Sequence, residues 1–121
     1  MGFDNLPTRR ASEVLMAASV LVSTKGHSKG AVKDPADGSV SVIGAIAVAC
    51  GARWEKLTDD EEVLISIVPR YNLPAAMLAW ECVEAMSDDL YAWEDSPSTT
   101  KEDVVRFLVK CSDRMAIVTG K

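Results

Sequence analysis

From Trp93 to Val104 the chain reads Trp-Glu-Asp-Ser-Pro-Ser-Thr-Thr-Lys-Glu-Asp-Val. That order spells an aromatic anchor, a tight turn and a helix start with its cap written out. Asp bonds readily to its own backbone and Pro presets φ, so Asp95 and Pro97 mark the turn. Thr99 or Thr100 can accept a backbone N–H of the first helical turn, and Glu102 or Asp103 can reach back to the cap residue's own N–H. The stretch fixes a local fold and carries no chemistry. Trp93, Asp95, Pro97, Thr99 and Glu102 are therefore structural-motif residues.

Helical periodicity dominates the remaining chain. Pro7 and Thr8 lead into a first helix ending at Lys25, with Gly26 placed to terminate it. Its apolar set runs from Val14 through Leu21 and Val22 and covers far more than one stripe, so the helix is either central to the core or shared with another subunit. Residues 26–42 break the period. Ala31-Val32-Lys33 and Ser39-Val40-Ser41-Val42 flank the turn Asp34-Pro35-Ala36-Asp37-Gly38 and read as a small hairpin.

A short helix from Val42 to Cys50, rich in Gly44 and alanines, is suited to close approach by a neighbouring helix. Thr58-Asp59-Asp60-Glu61-Glu62 opens the next helix with a capping box, and Pro69 stops it. The β-branched residues of 63–68 also permit a strand. Pro74 starts a helix through Met86, with Met77, Leu78, Trp80, Cys82 or Val83, and Met86 turned inward. The last helix runs from Lys101 to about Met115, with Val104, Leu108, Cys111 and Met115 on one face. The expected class is mainly α (α+β): four to five helices with one small antiparallel β-hairpin. Residues 1–7 form a lead-in, 8–115 a single globular domain and 116–121 a tail.

At 121 residues such a domain buries a core without disulfides or metals. Three cysteines, Cys50, Cys82 and Cys111, lie far apart in apolar segments, and the single His27 completes no zinc set with a thiol pair. Reduced, buried thiols and a cytoplasmic location are expected, with no metal and no cofactor. No apolar run approaches the ~18 residues of a membrane span, and Met1-Gly2-Phe3-Asp4 does not open a signal peptide.

The net charge of −5 conceals a segregation. Residues 58–103 hold twelve Asp/Glu against two Lys/Arg, whereas both flanking segments are mildly basic. This argues against nucleic acid as a broad partner and permits an acidic face for a basic partner, or charge pairing between subunits. Asp59 and Asp60, with Val14, Leu21 and the charge-flanked Trp54, are the candidate interface residues.

The loop Lys25-Gly26-His27-Ser28-Lys29-Gly30, with Lys33 behind it, is the candidate ligand site. Two glycines let backbone N–H groups face an anion, and Lys25, Lys29 and Lys33 add charge. The spacing does not match a phosphate loop, and the loop follows a helix where a phosphate loop precedes one. A helix end complemented by lysines accounts for the same residues, with His27 as a solvated loop residue. Neither the Glu94-Asp95 pair nor any Ser, Cys or Thr comes with a base and an orienting group, so no catalytic residue is assigned.

Trp93-Glu94-Asp95-Ser96-Pro97, followed by Thr99 and an acidic helix start, resembles the Trp-Asn-Asp-x-Pro-x-x-Thr signature of a small-domain family of actinobacteria and their phages, with Glu94 in place of Asn. Lys29-Gly30-Ala31 after a capped helix and Gly44-Ala45-Ile46 inside a small-residue helix fit the same family. The resemblance spans roughly residues 10 to 113. It implies a fold and an actinobacterial or phage origin, and it implies no activity. The lack of a catalytic set, the over-apolar first helix and the acidic 58–103 region point to a non-catalytic accessory protein that binds another protein, either a host protein or a second copy as a homodimer. The alternatives are a small-anion or nucleotide-binding domain built on Lys25, His27, Lys29 and Lys33, and a DNA-associated regulator using Arg9-Arg10 and Arg106, Lys110 and Arg114.

Overall fold

Helix α1 (Ala11–Lys25) is the centre of the protein in the computed structural model, which describes residues 10–118. The expected start at Thr8 lies outside those residues. Glu13 accepts the N–H of Arg10 at 3.0 Å, which closes the first turn. The helix stops at Gly26, whose φ of 95° suits a residue without Cβ and whose N–H reaches the carbonyl of Val22 at 2.9 Å. Val14, Leu15, Ala18 and Val22 are fully enclosed. Packing of α2, α4 and α6 on α1 accounts for its enclosed residues, while Met16 and Val20 of its apolar circumference remain exposed.

The chain continues into β1 (Lys33–Asp34) and β2 (Ser39–Val40), an antiparallel pair with Lys33 opposite Val40. Two-residue strands are marginal alone. Here the loop after α1 reinforces them, since Ser28 N–H donates to the Val40 carbonyl and Val40 N–H to that of Gly26. Helix α2 (Val42–Ala49) follows at once, capped by Ser41, whose hydroxyl accepts the Gly44 N–H. Gly44 was expected to admit a neighbouring helix. What approaches it is the hairpin's own lead-in: a Cβ at Gly44 would stand 2.6 Å from the Val32 carbonyl oxygen.

Residues 61–67 form a helix, α3 (Glu61–Ile67), so the cap outweighs the β-branched content of 63–68. Asp60, rather than Thr58, is the cap residue and accepts the N–H groups of Glu62 and Val63. After Pro69 a 3-10 turn leads into α4 (Leu73–Ala85). The inward face of α4 differs from the expected one. Ala75, Ala76, Ala79, Cys82 and Val83 are buried, whereas Met77 and Leu78 are 42% and 47% exposed. Apolar residues surround this helix, and its alanine face is the one placed against the core near α1.

Helix α5 (Leu90–Asp95) was not expected. Asp89 caps it by accepting the Ala92 N–H, and Leu90 is buried. Helix α6 (Lys101–Val118) opens with the reciprocal cap of Thr100 and Asp103, the second of each pair the sequence offered. It runs antiparallel to α1: Ser112 donates to the Ser12 carbonyl at one end and Lys101 to that of Ser23 at the other. Val104, Leu108, Cys111 and Met115 face inward as the spacing predicts. Residues 116–118 prolong the helix, and 119–121 lie outside the described residues. The domain is thus mainly α with one small hairpin. Its three cysteines are all buried, and none is in a disulfide.

Burial pushes the Cys111 thiol up to about 12, with the neighbouring Cys82 adding to the effect, and Cys82 is raised for the same first reason. Folding therefore favours the neutral thiols. That contribution is complete below the unfolded thiol pKa, near 9, and is lost as pH climbs from there towards 12. Two results are expected. A thiol reagent such as Ellman's titrates none of the three cysteines in the native protein at pH 8 and all of them in guanidinium. The urea midpoint falls steadily above pH 9, less so in Cys111→Ala.

Candidate functional site

The candidate loop and the Trp93–Thr100 turn prove to be two halves of one structure. Lys29 extends its ammonium into the turn, where Nζ donates to the carbonyls of Glu94 (3.0 Å), Ser96 (2.7 Å) and Thr99 (2.8 Å). An ammonium has three N–H donors, and each has its acceptor. Gly30 N–H donates to Asp95 Oδ1 at 2.7 Å, and the Thr99 hydroxyl donates to the Trp93 carbonyl at 2.6 Å. Trp93 anchors the turn by packing on Phe107 of α6, with ring centroids 4.9 Å apart.

Beneath this tie lies a buried ionisable pair. His27 Nε2 is 2.8 Å from Glu94 Oε2, and both side chains are only 3% exposed. The same carboxylate oxygen accepts the N–H of Val42, the first residue of α2, at 2.7 Å. With Glu94 as a carboxylate, Oε2 accepts from both groups, and His27 takes the tautomer that carries its hydrogen on Nε2. Its Nδ1 is buried without a hydrogen-bond partner. His27 is thus an interior residue, not the solvated one expected. Its position follows from the bridge that residues 26–28 make with Val40.

A separate recess is lined by Tyr91. Helix α3 turns Glu61, Leu64 and Ile65 to one side, and α4 answers with Met77, Trp80, Glu81 and Glu84, a set at helical spacing of three and four. Tyr91 of α5 and Ile43 of α2 complete a chamber of about 190 Å³. The Trp80 ring is held in place because its indole N–H donates to the Ile43 carbonyl at 3.2 Å.

A second depression of about 370 Å³ shares Ile43, Glu61, Leu64 and Tyr91 with the first and continues across residues 30–32 to Asp59 and Asp95. Among the described residues no Lys, Arg or His lines either part. Tyr91 is 53% exposed, and its phenol is held above its ordinary pKa by partial burial and then by the charges of Glu84, Glu61 and Glu94. The cleft is apolar at its floor and anionic around its rim.

The sequence profile of a family of unknown function, DUF6197, matches residues 6–114. The chain belongs to that family. No curated protein and no solved structure matches it at a significant level.

The remaining candidates in this DUF6197 domain are dispersed. Lys33 caps the carbonyls of Trp54 and Glu55 and sits 4.6 Å from the Trp54 ring centroid, and Lys25 is exposed at the end of α1. Of the interface candidates, Asp59 lines the cleft while accepting the Val32 N–H, and Asp60 caps α3. Val14 is enclosed in the core, and Leu21 and Trp54 are half-buried against it. Pro97 and Glu102 are exposed around the turn.

Arg106, Lys110 and Arg114 form an exposed row on α6, with Arg106 paired to Asp103. Among the described residues no group of three or more His, Cys, Asp or Glu is placed to hold a metal ion. No single helix among them is long and apolar enough to cross a membrane. Trp80, Tyr91, Glu61, Glu81 and Glu84 were not singled out from the sequence. The signal for them was the 77-80-81-84 spacing, which puts Met, Trp and two Glu on one helix face.

Proposed function

We propose that this DUF6197 protein is a non-catalytic accessory protein that binds another protein through the cleft around Tyr91, and that its partner offers a basic segment carrying apolar side chains. The observation that carries this is the lining of the cleft: an apolar floor of Ile43, Leu64 and Trp80 beneath a rim whose charged residues are all carboxylates. An apolar floor supplies affinity by burial, and a one-signed rim selects the sign of the partner and speeds its approach. The acidity of residues 58–103 supports the same view, because the rim draws on it. The ammonium groups of Lys29 and Lys33 are engaged by carbonyls of the chain itself, which leaves less for an anion to bind at that loop. An origin in actinobacteria or their phages, implied by the Trp93–Thr99 resemblance, belongs to this proposal.

Displayed-peptide selection on the full chain tests it. Basic, apolar-containing peptides are expected to enrich on the wild-type protein and not on a folded Tyr91→Asp variant. No enrichment, or enrichment that survives Tyr91→Asp, contradicts the proposal.

A further inference from the structure

The two parts of the cleft differ in kind, and the smaller one is more informative. At about 190 Å³ this part is sized for a single side chain. Trp80, fixed by its hydrogen bond to the Ile43 carbonyl, and Tyr91 contribute aromatic surface from two different helices. Glu61, Glu81 and Glu84 stand at its edge, and among the described residues none of them forms an ion pair. Aromatic surface attracts cations, and attracts them more strongly where water is displaced.

A bare metal ion finds no convergent oxygen cage in such surroundings. A cation on an apolar stem is matched in every part: the stem lies along Ile43 and Leu64, and the head reaches the carboxylates. A guanidinium fits better than an ammonium, because a planar group stacks on a ring and pairs bidentately with a carboxylate at once. We infer that the Trp80–Tyr91 chamber is a socket for an arginine side chain of the partner, flanked by Glu61, Glu81 and Glu84. This rests on the docking proposal above and specifies its anchor.

The test uses the full chain, isotope-labelled, titrated with N-acetyl-arginine amide and separately with N-acetyl-citrulline amide, which has the same shape without the charge. The arginine compound is expected to shift the Trp80 indole N–H and the Tyr91 amide. The citrulline compound is expected to leave both in place. The double substitution Glu81→Gln and Glu84→Gln, on the exposed face of α4, should weaken the arginine response roughly ten-fold, the equivalent of ~1.4 kcal/mol.

Equal shifts with both compounds, or no shift at Trp80 and Tyr91, overturn the socket. The wider proposal is separable from it. A selected peptide that binds the wild type but not Tyr91→Asp, and keeps its affinity when its arginines become citrulline, discards the socket and retains the docking site. Failure of the selection itself discards both.

Discussion

Replacing Glu94 with alanine is expected to lower the stability of the domain by about 3 kcal/mol, within the range for leaving two buried hydrogen-bond donors unsatisfied. Glu94 Oε2 serves two donors that have no water to turn to, the His27 Nε2–H and the Val42 N–H. Removing the carboxylate strands both, and each stranded donor carries its own desolvation penalty. The Val42 N–H also belongs to the positive end of α2, so a negative charge is lost where the helix favours one. Glu94→Gln keeps an acceptor oxygen and loses the charge, so it should cost less, about 1 kcal/mol. In a thermal melt, 3 kcal/mol corresponds to a fall of roughly 10–15 °C for a domain of this size. A Glu94→Ala protein within 1 kcal/mol of the wild type would show that the buried pair does not hold α5 to α2.

Lys29→Met is the second large effect expected, a loss of about 2 kcal/mol, near the lower end for charged hydrogen bonds because part of the site is open to water. Methionine retains most of the aliphatic stem and deletes the ammonium, so the carbonyls of Glu94, Ser96 and Thr99 lose their common donor together. Lys29→Arg should not restore the wild-type value, because a planar fork cannot aim three N–H groups at carbonyls gathered around one point. Amide exchange in the turn between α5 and α6 should quicken in both variants, and urea denaturation gives the magnitude. Unchanged stability in Lys29→Met, coupled with a lost response to phosphate, would return Lys29 to the ligand-binding role the sequence offered it.

These two residues also show what was legible in the chain. The cap at Thr100, the turn at Pro97 and the inward face of α6 were readable because they depend on local chemistry, whereas Asp95, expected to bond its own backbone, ends α5 and accepts the Gly30 N–H. The acceptors of Lys29 were not readable, since they lie 65 to 70 residues away in sequence. A glycine-flanked lysine in a loop looks the same whether its ammonium meets a phosphate or three carbonyls.

Glu94 was hidden for a related reason. Beside Asp95 it read as half of a carboxylate pair, yet the six-residue helix α5 points Glu94 inward to His27 while Asp95 reaches Gly30. The cleft was missed because Met77 and Trp80 were assigned to the core by hydrophobicity alone. Alanines at 75, 76 and 79 occupy that face, Met77 and Leu78 are displaced towards solvent, and Trp80 stays half-buried against the edge of the core. The acidity of 58–103 was visible as composition, and only the convergence of α3, α4 and α5 on one pocket turns it into a rim.

The most direct measurement is a nuclear magnetic resonance titration of the labelled full chain with a peptide enriched on it by selection. The proposed docking site predicts that the perturbed signals cluster at Ile43, Glu61, Leu64, Trp80 and Tyr91, and that binding weakens as salt rises. Perturbations centred on Arg106, Lys110 and Arg114, or on the loop from Lys25 to Lys33, would contradict it.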